Sequence, residues 1–187
     1  MPPTASPPEY LTTVAIAPDV IAALDLGIEA MMNGKGEIAL PASHRPFAFS
    51  VHLPITDDTG RLNLAALDDA RREQSIGIVR RSVDAASDLG VSRGVIHPGF
   101  TREGGATIGD WDRAVAGLQQ VADHARRKQF EVLLENMPVK WDGVPDYVPA
   151  EEADRSRSLH YLGSSAQEWR DLWAADMLEK MPPLLVR

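Results

Sequence analysis

The chain has no cysteine. That excludes disulfides, thiolate nucleophiles and thiolate metal ligands, so any metal would have to be held by histidines and carboxylates. It is compatible with a reducing compartment, and a cytoplasmic location is the expectation. Long apolar runs are scarce too. None approaches the roughly 18 residues of a membrane-spanning helix, so no membrane span is expected. The N-terminal MPPTASPPEY lacks a basic stretch followed by an apolar one and does not read as a secretory signal. Its prolines predict a flexible lead-in over residues 1–10, ahead of one domain over 11–187. No GxGxxG, Walker or GxSxG pattern occurs, so the common phosphate cradles and the serine nucleophile elbow are excluded. Positive charge is in deficit: 19 Lys and Arg against 27 Asp and Glu give a net charge of −8. Tight nucleic-acid binding needs phosphates neutralised, so nucleic acid is a poor fit as partner.

What is present reads as α/β. Hydrophobic residues at 44% and charged residues at 25% are ordinary for a globular domain. Thr12–Ala17 is a first β-branched run, and Pro18 opens a short helix through Leu26. Ile28–Met32 reads as a strand and Asn33–Gly36 as a turn. Phe47–Leu53 is a near-alternating strand. After a polar loop over Pro54–Asn63, a helix is predicted from Leu64 to Leu89, with Ile76, Val79, Val83 and Ala86 on one stripe. Gly90 ends it, and Gly94–His97 is the next strand. Pro98–Gly109 reads as a glycine-rich loop and Asp110–Lys128 as a second amphipathic helix. Glu131–Glu135 is a strand whose apolar VLL predicts burial on both faces. Strands alternating with long helices indicate βαβ units and a parallel sheet. Beyond it lie a long polar segment over Val139–Arg157, a helix from Ser164 to Lys180 and a strand starting at Leu184.

Three of these strands end on residues that favour metals. FAFSVHLP, GVIHPGF and EVLLENMP place His52, His97 and Glu135 at strand C-termini, each with a proline within three residues. In a parallel barrel the C-terminal strand ends converge on one mouth, which carries the chemistry. A His/His/Glu set suits Zn²⁺, Mn²⁺, Mg²⁺ or Co²⁺. Glu135 is also a candidate general base for a proton next to a carbonyl, and Asn136 would orient it or hold a substrate hydroxyl. A lone histidine at a strand end is more often a hydrogen-bonded structural residue. Three such ends in successive βα units weigh towards a site. His44, before Arg45-Pro46, is expected in solvent, and His124 on a helix surface. His160 falls in the polar tail, and Asp57-Asp58 reads as turn chemistry.

The order SVHLPI, a helix ending in DLG, VIHPGF, a second helix and LLENMP resembles the xylose isomerase-like barrel superfamily over residues 12–138. That superfamily includes sugar and sugar-phosphate isomerases and epimerases, and the endonuclease IV branch of DNA repair. The resemblance implies a (β/α)₈ TIM barrel with one to three divalent metals at its mouth. It implies that Glu135 is a metal ligand and an acid/base carboxylate, and that His52 and His97 bind metal or line the substrate pocket. The remaining ligands of such barrels, an Asp in a DxxH motif, a His and a final Glu, have no counterpart after Glu135. A closed barrel usually takes about 250 residues, and this chain has 187. The expectation is therefore an incomplete barrel of about five βα units. Three functions follow: a metal-dependent isomerase or epimerase of a small carbohydrate, an incomplete domain acting as a homo-oligomer or with a complementary chain, and, least favoured by charge, a zinc nuclease.

Overall fold

The computed structural model describes residues 16–38, 40–103 and 106–135, with Lys140–Trp141, Ser158–Tyr161 and Arg170. Helix α1 is Pro18–Ala23 and strand β1 is Ile28–Met31. A 3₁₀ turn at Arg45–Phe47 leads into β2, Ala48–His52. A small hairpin follows, β3 Thr56–Asp57 and β4 Gly60–Arg61. Helix α2, Asp69–Asp88, precedes β5, Arg93–Ile96. A second hairpin pairs β6, Phe100–Glu103, with β7, Ala106–Thr107. Helix α3, Trp111–Arg127, precedes β8, Glu131–Leu134. Strands β9, Lys140–Trp141, and β10, Ser158–Tyr161, extend the second hairpin into an antiparallel sheet ordered β7-β6-β10-β9.

The main sheet is parallel and ordered β1-β2-β5-β8. Among the described residues these four strands do not close into a barrel. β2, β5 and β8 pair side by side because the connections between them run through amphipathic helices, α2 and α3, that cover the same face, while β1 reaches β2 through a turn and the 3₁₀ segment. That face is apolar: Val51, Ile96, Val132 and Leu134 are buried with Ile76, Val79, Val83, Leu118 and Val121 of the two helices. The other face is polar at the N-terminal ends of its strands. There Ser50 donates to Glu29 at 3.3 Å, and Arg93 pairs with Glu131 at 3.7 Å. β8 is consequently buried on alternate residues, not on both faces, because Glu131 and Leu133 point to this second side.

Several predicted boundaries shift. Helix α2 starts at Asp69, not Leu64, because the Asp68 carboxylate accepts from the Arg71 amide and caps it there. Leu64, Ala65 and Ala66 are buried as loop instead. Helix α1 stops at Ala23, and of its expected apolar set only Ile21 is buried. Both predicted loops after β2 and β5 contain hairpins. Of the strand expected at Thr12–Ala17, only Ile16 and Ala17 are described, and neither is in a strand. The lead-in over 1–10, the strand at Leu184 and, apart from the helical Arg170, the helix from Ser164 lie outside the described residues.

The loops after β2 and β5 are stitched together. Leu67 donates to the Ile108 carbonyl at 2.9 Å and Asp110 to the Ala65 carbonyl at 3.0 Å. Gly109 sits where they cross: a Cβ there would collide with the Phe100 carbonyl oxygen and lie 2.8 Å from that of Ala65. Helices α2 and α3 are tied on the far side by His124, whose Nε2 meets Asp84 Oδ1 at 2.9 Å, with Lys128 at 3.2 Å.

Candidate metal centre

β2, β5 and β8 all end at the same edge of the parallel sheet, and their final side chains meet there. His52 is the last residue of β2, while His97 and Glu135 directly follow β5 and β8. The backbone keeps these ends level: Leu53 donates to the Val95 carbonyl at 2.9 Å and Glu135 to the Ile96 carbonyl at 3.0 Å. Glu135 Oε2 lies 2.9 Å from His97 Nε2 and 3.3 Å from His52 Nε2. The two imidazoles pack edge to face, with centroids 4.9 Å apart. Exposure rises across the group, from 12% for the His52 side chain to 19% for His97 and 39% for Glu135. The histidines are therefore set in the protein wall and the carboxylate faces the opening.

The chemistry of this donor set fits a divalent cation. His52 Nδ1 lies 2.9 Å from the Leu53 carbonyl oxygen. A carbonyl only accepts, so Nδ1 carries the hydrogen, and a neutral ring then turns the bare lone pair of Nε2 towards Glu135 Oε2. A neutral ring and the carboxylate thus present two acceptors that a shared cation would satisfy, whereas a protonated ring donates to Glu135 directly. Orientation of a ligand imidazole by a backbone carbonyl on its other nitrogen is the usual support in metal sites. The donor atoms of His52, His97 and Glu135 all lie within 4.8 Å of one another. Slight side-chain rotation closes such a span onto a single ion, whose ligands sit about 2.0–2.2 Å away. Two histidines and one carboxylate also leave a coordination position open, as catalytic zinc sites do.

Other residues considered from the sequence fall elsewhere. Asn136 lies outside the described residues, as does the side chain of His160. His44 is buried, at 5% exposure, and not in solvent. Its Nε2 bonds to the Ile16 carbonyl at 2.9 Å and its Nδ1 to Ser43 Oγ at 3.0 Å, which ties the start of the described chain to the loop before β2. His124 is not a free surface residue either, since it bonds to Asp84 of α2. Asp57 does form a turn, accepting from the Thr59 amide at 2.8 Å, but it also receives Arg71 at 2.7 Å and Gln74 at 3.0 Å from α2. His97 additionally lines a narrow cleft of about 50 Å³ with Thr56, Arg61 and apolar neighbours.

Residues 27–155 match the xylose isomerase-like TIM barrel family. The chain belongs to this family. The parallel α/β sheet, and the gathering of polar side chains at its C-terminal edge, are what such a barrel builds. Among solved structures the chain is similar to a "D-tagatose 3-epimerase-like protein", at 26% identity and a TM-score of 0.41, over 51% of this chain and 34% of that one. It is also similar to an "L-ribulose 3-epimerase", at 17% identity and a TM-score of 0.44, over 87% of this chain and 40% of that one. The chain thus spans between a third and two-fifths of the length of these two proteins. No curated protein matches it.

Proposed function

We propose that this domain is of the sugar or sugar-phosphate isomerase/epimerase type, moving a proton at a carbon next to a carbonyl or hydroxyl with a divalent metal bound. The observation that carries this reading is the convergence of His52, His97 and Glu135 at the ends of three adjacent parallel strands. Membership of the xylose isomerase-like family supports it. His52 and His97 would hold the ion together with Glu135. When bound, the ion would supply positive charge where enolate charge develops on the substrate oxygen. Glu135 contacts both histidines and is the most exposed of the three, and in this reading its carboxylate would take a proton from a substrate carbon and return it. The flanking histidines fix its orientation, and Asn136 is assigned to a substrate hydroxyl. Cytoplasmic location and a carbohydrate substrate belong to the same proposal. Among the described residues no helix is long and apolar enough to cross a membrane.

The test is titration of metal-free protein with Co²⁺ and Zn²⁺, followed by calorimetry and the visible Co²⁺ spectrum, with molecular mass measured in parallel. The reading expects one ion per chain, lost in Glu135→Ala. Ketose isomerase or epimerase activity should depend on the ion and fall at least ~100-fold in Glu135→Gln, the usual scale of a lost acid/base group. Undiminished activity in Glu135→Gln would show that Glu135 is not the base. No metal uptake by the isolated chain, with uptake restored by a complementary chain, would favour an incomplete domain that functions only in assembly.

A further inference from the structure

We infer that Asn63 is a positioning residue for His97, holding the segment that carries it from a distance of 34 positions in sequence. Its purpose as a site residue rests on the metal reading above, whereas its grip on the loop does not. Asn63 is 3% exposed and sits between two buried leucines, Leu62 and Leu64, where an apolar residue would be the default. Its side chain is committed to backbone. Oδ1 accepts from the Phe100 amide at 3.1 Å and from the Ala65 amide at 3.0 Å, while Nδ2 donates to the Phe100 carbonyl at 2.9 Å. One carboxamide thus satisfies both main-chain polar groups of Phe100, as a neighbouring strand would.

Asn63 is itself anchored. Its backbone amide donates to Ser75 Oγ at 3.0 Å, and Ser75, fully buried in α2, donates to the Arg71 carbonyl at 2.8 Å. The loop accommodates this approach at Gly99, where φ is +99° and a Cβ would stand 2.8 Å from Asn63 Oδ1. His97 therefore belongs to a span pinned at both ends. On one side Ile96 is locked in the sheet opposite Leu134. On the other, Pro98 is fully buried and Phe100 is held by the carboxamide. Pro98 fixes its own φ but has no amide hydrogen to donate, and the Asn63 bonds to Phe100, together with the pairing of β6 with β10, hold the far end of the segment from which the imidazole projects. A leucine at this position would fill the volume and leave the Phe100 amide and carbonyl without these bonds in a buried setting.

Asn63→Leu and Asn63→Asp test this; the second keeps the Oδ1 acceptor and turns the donor to Phe100 into an acceptor. Three quantities are read on metal-free protein and then with Co²⁺: the NMR cross-ring contact between His52 and His97, the Co²⁺ dissociation constant, and stability in urea. Leu118→Ala, in the core away from the site, is the control for plain destabilisation. The expected result is loss of the cross-ring contact and at least tenfold weaker Co²⁺ binding in both Asn63 variants, with Leu118→Ala changing stability alone. If the Asn63 variants behave as Leu118→Ala does, the positioning role is overturned. Should they fail to fold, Gly99→Ala pushes a methyl group against the same carboxamide from the loop side and is read in the same way. If wild-type protein takes up no Co²⁺, the metal reading fails by itself, and the cross-ring contact still decides the role of Asn63.

Discussion

Asp57 lies in the hairpin after β2, where burial pushes its carboxyl up, yet hydrogen bonds from Arg71 and Thr59 outweigh this and hold it at about 2. A carboxyl depressed below its unfolded value of 3.8 contributes stability that is complete above about pH 4 and is lost as pH falls through about 2. The expected difference in acid sensitivity between wild type and Asp57→Asn is up to ~2 kcal/mol, read from urea unfolding at about pH 5 and pH 2.5. Equal acid sensitivity in the two proteins would exclude the pairing as its source. At this scale the His52, His97 and Glu135 trio was legible because each residue ends its own strand, a local pattern. His44 and His124 were misread because their partners, Ile16 and Asp84, lie 28 and 40 positions away. Asn63 was passed over for the same reason: its bonds to Phe100 span 37 positions, and an asparagine between two leucines gives no local sign of them.

The long helices were legible as elements because a stripe repeated over four or five turns is hard to mistake, and both end in the same way. At α2 the amides of Gly90 and Val91 return to the carbonyls of Ser87 and Ala86, with Gly90 at φ +81°. At α3 the amides of Gln129 and Phe130 return to Arg126 and Ala125, so the left-handed position falls to Gln129 at φ +55°. A side chain in that conformation carries strain that glycine lacks. Gln129→Gly should therefore stabilise the protein by about 0.5–1 kcal/mol, seen as a rise of roughly 1–4 °C in melting temperature. An unchanged or lowered melting temperature would mean that the glutamine side chain contributes more than its backbone costs. Short elements were hidden in the sequence. The strands of the two hairpins after β2 and β5 are only two to four residues long, too short to show alternation, and what holds them is contact with α2 and with β10.

For the whole molecule, the net charge of −8 is set against the family's DNA-repair branch. Fluorescence anisotropy with an abasic duplex should show no saturable binding at physiological salt; tight binding that weakens steeply as salt rises would reverse the order of the readings. Parallel α/β architecture followed from the alternation of strands and helices, since each helix returns the chain to the same edge of the sheet. The interlocking of the two mouth loops did not, because it depends on which backbones pass one another. Gly109 fixes that passage: a Cβ there would run into the carbonyl oxygens of both Ala65 and Phe100. For anyone recombining this scaffold with another barrel, residues 53–67 and 97–110 therefore behave as one interchangeable cassette. Transplanting either loop alone would bring a foreign backbone into a gap shaped by the other, and chimaeras cut between them should fail where those that move both succeed.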